Sequence, residues 1–192
     1  MTVPAELDSR FRSAAAAEGL LDVGYDIVDS PLGELFVGVS RRGLCVISYD
    51  VDPERKLEQL TRGYGARILR SPKAVDAPRR QLDEYFEGKR RRFELDVDLR
   101  LAREFGRVVL KELAAVPFGQ VTTYGALAAR AGKPRAARAV GTIMNRNPVP
   151  IVLPCHRVVG SNGSLVGYAG GVERKQALLR LEGALGAAAD QS

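Results

Sequence analysis

The pair of residues in this chain of 192 amino acids that most suggests chemistry is Cys155 and the histidine that follows it, His156. His156 is the single histidine of the chain, and Cys155 is one of two cysteines, the other being Cys45. The thiolate is the nucleophilic form of cysteine, and a neighbouring imidazole or positive charge favours it. Buried free cysteines are often inert, but the histidine and the basic surroundings indicate a nucleophile at Cys155. We predict that Cys45 is a structural thiol in a strand.

The sequence does not decide which residue would orient His156. Adjacent residues on an extended strand point to opposite faces, so His156 would act through a bent backbone or a bridging water. A third group must hold the imidazole in one tautomer and stabilise its charged form. Glu173 and Glu182 are candidates, and Glu182 follows a helical apolar run that could lead it into a core. A solvated charge on a helix surface is the usual alternative for a single glutamate.

The ligands for a metal site or a disulfide framework are missing from the sequence. The two cysteines lie far apart and neither has a CxxC partner. One histidine cannot supply the usual histidine-rich ligand set of a catalytic metal site. We therefore expect chemistry that uses no metal and no cofactor.

The net charge of +6 arises in one part of the sequence. Residues 113–172 contain no Asp or Glu, and the 23 basic residues outside this stretch balance the 23 acidic residues of the chain. Such a basic face is typical of a nucleic-acid-binding protein. Its six basic residues are Arg130, Lys133, Arg135, Arg138, Arg146 and Arg157.

The composition is that of a soluble globular protein, with 45% hydrophobic and 27% charged residues. No apolar run approaches the roughly 20 residues of a membrane span. Charged residues interrupt the first twenty positions, which argues against a signal peptide. We expect an intracellular, cytoplasmic protein.

The pattern of apolar residues and turns predicts an α+β protein with two domains and two tails. Residues 1–21 are expected to form an N-terminal tail and residues 186–192 a C-terminal tail. Residues 22–98 are expected to form a small domain with an antiparallel meander of strands at 25–28, 35–39 and 44–49. Helices starting at residues 53 and 77, a strand at 67–69 and a strand-like piece at 93–97 would complete this domain.

Residues 99–185 are predicted to form a mainly helical domain that contains a helix-turn-helix. Helices are expected at 104–116, at 124–131 after an N-cap at Thr123, and from Arg135 to about Asn145. The third of these would occupy the recognition position. Its small residues would let it pack closely inside the protein or, in this basic context, approach DNA closely while Arg138 projects. An Asn-Pro turn then feeds an apolar extended run that ends in Pro154, directly before Cys155.

Residues 105–183 resemble the catalytic domain of the O6-alkylguanine-DNA alkyltransferases, also called methylated-DNA–protein-cysteine methyltransferases. The first half resembles the N-terminal domain of that family more weakly, through residues 30–33 and 82–86. The resemblance in the second half rests on ordered motifs spread over about eighty residues. They are Val116-Pro117-Phe118-Gly119, Thr123-Tyr124-Gly125, Ala136-Ala137-Arg138-Ala139-Val140-Gly141, Asn147-Pro148 with Pro150, Pro154-Cys155-His156-Arg157-Val158, Gly167-Tyr168-Ala169-Gly170-Gly171 and Leu181-Glu182-Gly183.

The resemblance implies a role for each of five residues in the reaction. Cys155 would accept the alkyl group, His156 would be a water-linked base, and Glu182 would orient and stabilise the imidazole. This relay would lower the proton affinity of the thiol. Asn147 would brace the turn beside the nucleophile. Tyr124 would donate a proton to the guanine that leaves.

The resemblance also implies that the damaged nucleotide is flipped out of the duplex, with Arg138 filling its place in the stack. The other DNA-binding residues would be Thr123, Arg135, Ala136, Ala137, Ala139 and Gly141. The substrate pocket would include Met144, Val158, Tyr168 and Ala169. Because some relatives have a serine at the position of Ala169, the effect of this alanine on substrate preference stays open.

The implied function is stoichiometric, irreversible repair of O6-alkylguanine, and of O4-alkylthymine, in double-stranded DNA. A monomer in solution is expected, and cooperative assembly on DNA stays open. Two other functions are alternatives to repair. A protein that flips and flags damaged guanine without repair would lack the acceptor cysteine, and a cysteine hydrolase would need a histidine distant in sequence from its cysteine.

Overall fold

The computed structural model describes residues 20–185 together with Arg10 and Ala14, and it divides the chain after Leu101 into two compact units. The sequence placed this boundary after residue 98. Apart from Arg10, Ala14, Leu20 and Leu21, the two predicted tails lie outside the described residues. No helix in the described part of the chain is long and apolar enough to cross a membrane.

The first unit is built on a four-stranded sheet. The predicted meander is formed by β1 (Val23–Val28), β2 (Leu35–Ser40) and β3 (Gly43–Ser48), which pair antiparallel. The fourth strand, β4 (Ile68–Arg70), pairs parallel with β1 at the edge of the sheet. A parallel partner needs a crossover connection, which α1 (Pro53–Tyr64) supplies between β3 and β4. The helix α2 (Asp76–Phe86) follows a 3₁₀ turn at Pro72–Val75.

The prediction of a strand at residues 93–97 was wrong. Only Val97 makes an isolated bridge, with Leu44. The backbone of Glu94 is instead satisfied by one side chain of α2, because Gln81 Nε2 donates to its carbonyl (3.1 Å) and Gln81 Oε1 accepts from its N–H (2.8 Å). A side chain that takes both backbone groups removes the need for a neighbouring strand.

The second unit carries α3 (Glu104–Ala114), α4 (Tyr124–Arg130), α5 (Ala137–Asn145) and α6 (Val172–Leu181). The first three pack against one another, and their buried residues include Leu113, Leu127, Val140 and Met144. Thr123 caps α4 as predicted, because its Oγ1 accepts from Ala126 N at 3.1 Å. A turn of residues 131–136 joins α4 to α5 in a helix-turn-helix arrangement.

The helix α5 begins two residues later than the sequence predicted. Ala136 N donates to Lys133 O, which closes a turn, and the first helical residue is Ala137. Arg135 therefore lies in the turn before the helix, and Ala136 is its N-cap.

The segment that leads to Cys155 is a series of turns and not the predicted extended run. Leu153 N donates to Val149 O, and Ile151 has a positive φ of 75°. Asn147 closes this loop from inside, because its Nδ2 donates to Leu153 O (2.7 Å) and its Oδ1 accepts from Val149 N (3.2 Å). A 3₁₀ turn at Cys155–Arg157 follows, and α6 packs against it.

Two short strands that the sequence did not indicate stand at either side of the helix-turn-helix. They are β5 (Thr122–Thr123) and β6 (Val158–Val159), which pair parallel. The pairing joins the start of α4 to the end of the turn that carries Cys155, so it fixes where Cys155 stands relative to α4.

Candidate active site

The 3₁₀ turn at Cys155–Arg157 supplies the bent backbone that the sequence left as one alternative. Cys155 begins the turn and its side chain is buried, with 3% of the residue exposed. Cys45 is equally buried in β3, where burial raises its pKa to about 12. Cys155 differs from Cys45 in that the buried amine of Lys175 acts on its thiol and that His156 follows it in the same turn.

His156 and Glu182 form a buried pair. The distance from His156 Nε2 to Glu182 Oε1 is 2.9 Å, and neither side chain is exposed to solvent. An ionised carboxylate only accepts, so Nε2 carries the proton and Nδ1 keeps its lone pair. Among the described residues, His156 Nδ1 is the buried side-chain nitrogen or oxygen that has no hydrogen-bond partner. The structure thus brings the predicted base and its orienting acid together and leaves one ring nitrogen able to accept a proton.

Glu182 is held by three further hydrogen bonds. Arg157 donates from Nε to Oε2 and from Nη2 to Oε1, both at 2.8 Å, and Gly119 N donates to Oε2 at 3.2 Å. Burial alone would raise the pKa of Glu182, but the hydrogen bonds from His156 and Arg157 outweigh it and lower this pKa to about 2. Glu182 is therefore ionised throughout the physiological pH range.

Arg157 does not belong to the exposed basic face that the sequence predicted. It is buried, and its guanidinium faces Glu182 and the carbonyl of Val116. The other five basic residues of the 113–172 stretch are exposed. The sequence could not separate Arg157 from them because its charge is the same and its partner lies 25 residues away.

Helix α6 ends so that Glu182 points inward. Glu182 N still donates to Leu178 O, and Ala184 N donates back to Leu179 O at 2.9 Å, which closes the helix at a glycine. That glycine, Gly183, has a φ of 69°, a conformation that glycine adopts without strain. Glu182 is thereby fixed at the last turn of a packed helix and does not lie on its surface.

The buried site does not lower the pKa of Cys155, contrary to the prediction from sequence. Burial raises this pKa to about 11, while the hydrogen bond from Asn147 and the charge of Lys175 counteract part of the rise. Burial also lowers the pKa of His156, with the charges of Arg157 and Lys175 in the same direction and Glu182 in the opposite one. The thiol therefore keeps its proton, and the imidazole is neutral and free to accept it.

Lys175 is a residue of this site that the sequence reasoning missed. It is fully buried, and its Nζ donates to Val158 O (2.6 Å) and Val166 O (2.9 Å). No carboxylate pairs with it within the described chain, and it is close enough to Cys155 to affect the pKa of the thiol. A signal existed, because Lys175 shares the apolar face of α6 with Leu178 and Leu179.

Tyr124 lies half-buried at the first position of α4, and its hydroxyl donates to Val166 O at 3.1 Å. Burial and the neighbouring Cys155 raise the pKa of Tyr124, so its hydroxyl keeps a proton that it can donate. A side chain at Gly141 of α5 would place its Cβ 3.9 Å from the Tyr124 ring, which is ordinary contact. Tyr124 therefore stands between α5 and the loop that contains Val166.

The residues predicted to contact DNA differ in exposure. Arg138, Ala139 and Arg135 are exposed, whereas Ala136, Ala137, Gly141 and Thr123 are half-buried. Of the predicted pocket residues, Met144, Val158 and Tyr168 are buried and Ala169 is exposed. Their contacts with DNA stay predictions.

The site combines a cysteine with a buried histidine–glutamate pair, and its domain has a helix-turn-helix with an exposed arginine. This combination is typical of a DNA-binding protein with a cysteine nucleophile. Residues 104–184 match the family model described as the 6-O-methylguanine DNA methyltransferase DNA-binding domain. Residues 23–99 match the model described as the ribonuclease-like domain of the same enzymes. The chain belongs to the 6-O-methylguanine DNA methyltransferase family.

Similar proteins support this membership across most of the chain. A methylated-DNA–protein-cysteine methyltransferase of Methanosarcina barkeri is 40% identical over 161 residues, which cover 82% of this chain and 96% of the relative. One from Mycolicibacterium paratuberculosis is 39% identical over a match that covers 83% of this chain and 92% of the relative. The crystal structure of Mycobacterium tuberculosis OGT in complex with DNA has a TM-score of 0.72 at 36% identity, covering 83% of this chain and 92% of that one.

Proposed function

We propose that this protein repairs alkylated DNA by taking the alkyl group from the O6 atom of guanine onto Cys155. Family membership supports the reaction class. The observation that supports the assignment to Cys155 is the 2.9 Å pair of His156 and Glu182, which leaves Nδ1 of the residue after the cysteine without a hydrogen-bond partner and able to accept a proton. Cys45 has no comparable surroundings.

The reaction begins when His156 accepts the thiol proton, directly or through a water molecule. The Cys155 sulfur then attacks the alkyl carbon, so an S–C bond forms while the C–O6 bond breaks. The electron pair of that bond goes to the guanine, and Tyr124 donates a proton to the leaving base. The buried ammonium of Lys175 stabilises the thiolate while it exists.

Each protein molecule acts once. The thioether formed on Cys155 is a poor leaving group, and no second thiol that could regenerate it accompanies Cys155 in the sequence. The repair is therefore stoichiometric with the protein and irreversible. O4-alkylthymine carries the same kind of alkyl–oxygen bond, and we propose it as a second substrate.

The damaged nucleotide is flipped out of the duplex, because a stacked base cannot bring its O6 atom to a buried thiol. Arg138, exposed on α5, fills the vacated place in the stack. The small residues at 136, 137, 139 and 141 allow α5 to approach the minor groove closely. Met144, Val158, Tyr168 and Ala169 receive the base. We propose that the free protein is a monomer in solution and that it acts on intracellular, nucleoid DNA.

The test is to mix the protein with a duplex that carries a single O6-methylguanine and to weigh the intact protein. We expect a gain of one methyl group that saturates at one per chain and maps to the peptide of Cys155. Cys45→Ser is the matched control and should take up the methyl group normally. Multiple turnovers, or transfer that persists in Cys155→Ser, would contradict the proposal.

A further inference from the structure

We propose that Arg157 is a positioning residue of this site, which aims the Glu182 carboxylate at His156 and makes no contact with DNA. This inference rests on the proposed function, because it assigns Arg157 to the same proton relay. It separates Arg157 from the five exposed basic residues that share its stretch of sequence.

The guanidinium of Arg157 is fully engaged inside the protein. Nε and Nη2 donate to the two oxygens of Glu182, each at 2.8 Å, and Nη1 donates to the carbonyl of Val116. The Phe118 ring centroid lies 5.9 Å from the guanidinium carbon. Only 7% of the side chain is exposed. Reaching a DNA phosphate would require Arg157 to leave the buried negative charge of Glu182 without its guanidinium partner, which costs several kcal/mol.

The hydrogen bonds to Glu182 hold its carboxylate in a single orientation. Oε1 accepts from His156 and Arg157, and Oε2 accepts from Arg157 and Gly119. A planar guanidinium matches both oxygens at once, whereas a lysine could hold only one. The bidentate contact therefore determines which oxygen faces His156.

Arg157 and Lys175 are the two cations of the described residues whose charges act on the imidazole. The charged or titratable groups around His156 and Cys155 are Arg157 on the same turn, Glu182 and Lys175 of the α6 region, and Tyr124 of α4. Arg157 and Lys175 both lower the pKa of His156, and Arg157 contributes to the low pKa of Glu182. Removing Arg157 would therefore raise the proton affinity of His156 and Glu182. The acid limb of the alkyl-transfer rate would move to higher pH.

The single histidine makes a direct test possible, since the ¹⁵N NMR signals of its imidazole need no assignment. In the wild type we expect a neutral ring protonated on Nε2. In Arg157→Gln the titration midpoint should rise by about one pH unit, a tenfold change in proton affinity, and the acid limb of the transfer rate should move in the same direction. Arg107→Gln, the same change at an exposed position of α3, should leave both midpoints unchanged.

DNA binding distinguishes positioning from phosphate contact. Arg157→Gln should keep the wild-type dependence of DNA affinity on salt, because no phosphate contact is lost. A salt slope reduced by about one would return Arg157 to the DNA-binding face and overturn the proposal. A folded Arg157→Gln protein with unchanged His156 titration and unchanged acid limb would also overturn it.

Arg157→Lys keeps the charge and loses the bidentate contact, so it tests positioning even where Arg157→Gln does not fold. We expect transfer about tenfold slower at every pH with little movement of the acid limb. A wild-type rate in this variant would overturn the proposal. The NMR titration needs no DNA, so failure of methyl transfer in the wild type would contradict the proposed function and not the role of Arg157.

Discussion

At the scale of single residues, the exclusion of water decides how Cys155 and His156 share a proton. Burial raises the pKa of the thiol and lowers that of the imidazole, and both shifts favour the neutral pair. Two charged residues oppose this preference. Glu182 favours the charged imidazole, and Lys175 favours the thiolate. The reactive ion pair, which is the Cys155 thiolate and the protonated His156 imidazole, is therefore stabilised by groups outside the Cys155–Arg157 turn.

The first residue-scale prediction concerns Glu182. Glu182→Gln keeps the size of the side chain but removes the charge that stabilises protonated His156, so we expect transfer to slow by about a hundredfold. Single-turnover rates with the protein in excess over methylated duplex measure the effect. Glu173→Gln, an exposed position in the first turn of the same helix, is the control and should react at the wild-type rate.

The second residue-scale prediction concerns Lys175. Lys175→Met removes the buried charge near Cys155, so the pKa of the thiol should rise and transfer at neutral pH should slow. Raising the pH should restore part of the rate, because hydroxide then ionises the thiol without the help of the ammonium. Rates measured across pH test this, with Lys111→Met on the exposed side of α3 as the control. A uniform loss at every pH would show that Lys175 acts only by holding the carbonyls of Val158 and Val166.

At the scale of elements, α6 and the segment that ends in Gly119 together determine where Glu182 lies. Lys175 and Glu182 are seven residues apart, which is two helical turns and places them along one side of the helix. The Gly119 segment closes on the end of that helix, with a φ of 75° at Gly119. A Cβ atom at this position would stand 2.9 Å from the carbonyl oxygen of Glu182.

We predict that Gly119→Ala both destabilises the protein and slows transfer. The left-handed backbone costs a non-glycine residue about 1–2 kcal/mol. The contact with the backbone oxygen of Glu182 must shift one of the two segments, and we expect this shift to move the carboxylate relative to His156. Gly88→Ala is the matched control in the first unit, since Gly88 has a φ of 73° and nothing within 4 Å of the added Cβ. Urea unfolding should show a loss of stability in both variants, and single-turnover rates should fall only for Gly119→Ala. Equal transfer rates would show that the helix end adapts to the extra atom.

At the scale of the whole molecule, the buried titratable groups predict how stability depends on pH. Glu182 has a folded pKa of about 2 against an ordinary 4.5, so it stabilises the fold above pH 4.5, and this contribution is lost as the pH falls toward 2. The pKa of His156 is lowered from 6.5, so the unfolded chain binds its proton first and stability begins to fall below pH 6.5. The two buried thiols make stability fall at alkaline pH. The folded protein keeps the protons of Cys155 and Cys45 up to about pH 11 and 12, whereas the unfolded chain releases them near pH 9.

We therefore expect the free energy of unfolding in urea to fall below about pH 6.5 and again above about pH 9, where the two thiols together outweigh the lowered pKa of Lys175, which acts in the opposite direction. Cys45→Ala should make the alkaline fall less steep, because one of the two buried thiols no longer contributes. Alkaline slopes that coincide in the variant and the wild type would show that Cys45 ionises as readily in the folded protein as in the unfolded chain.

The sequence alone determined the features that depend on neighbours along the chain. The three-stranded meander, the N-cap at Thr123, the short helices on either side of a turn and the Cys155-His156 pair all follow from local residue types. The family motifs are local in the same way, and the α+β class and the family were confirmed.

The tertiary structure decided whatever depends on burial and on contacts between distant residues. It paired β4 with β1 and β5 with β6 in parallel, buried Arg157 against a glutamate 25 residues away, and placed the amine of Lys175 near Cys155. It also raised the pKa of Cys155 where the sequence predicted a lower one. The physical reason is that desolvation depends on how completely α6 and the turns around Cys155 exclude water, and no local pattern of residues encodes that packing.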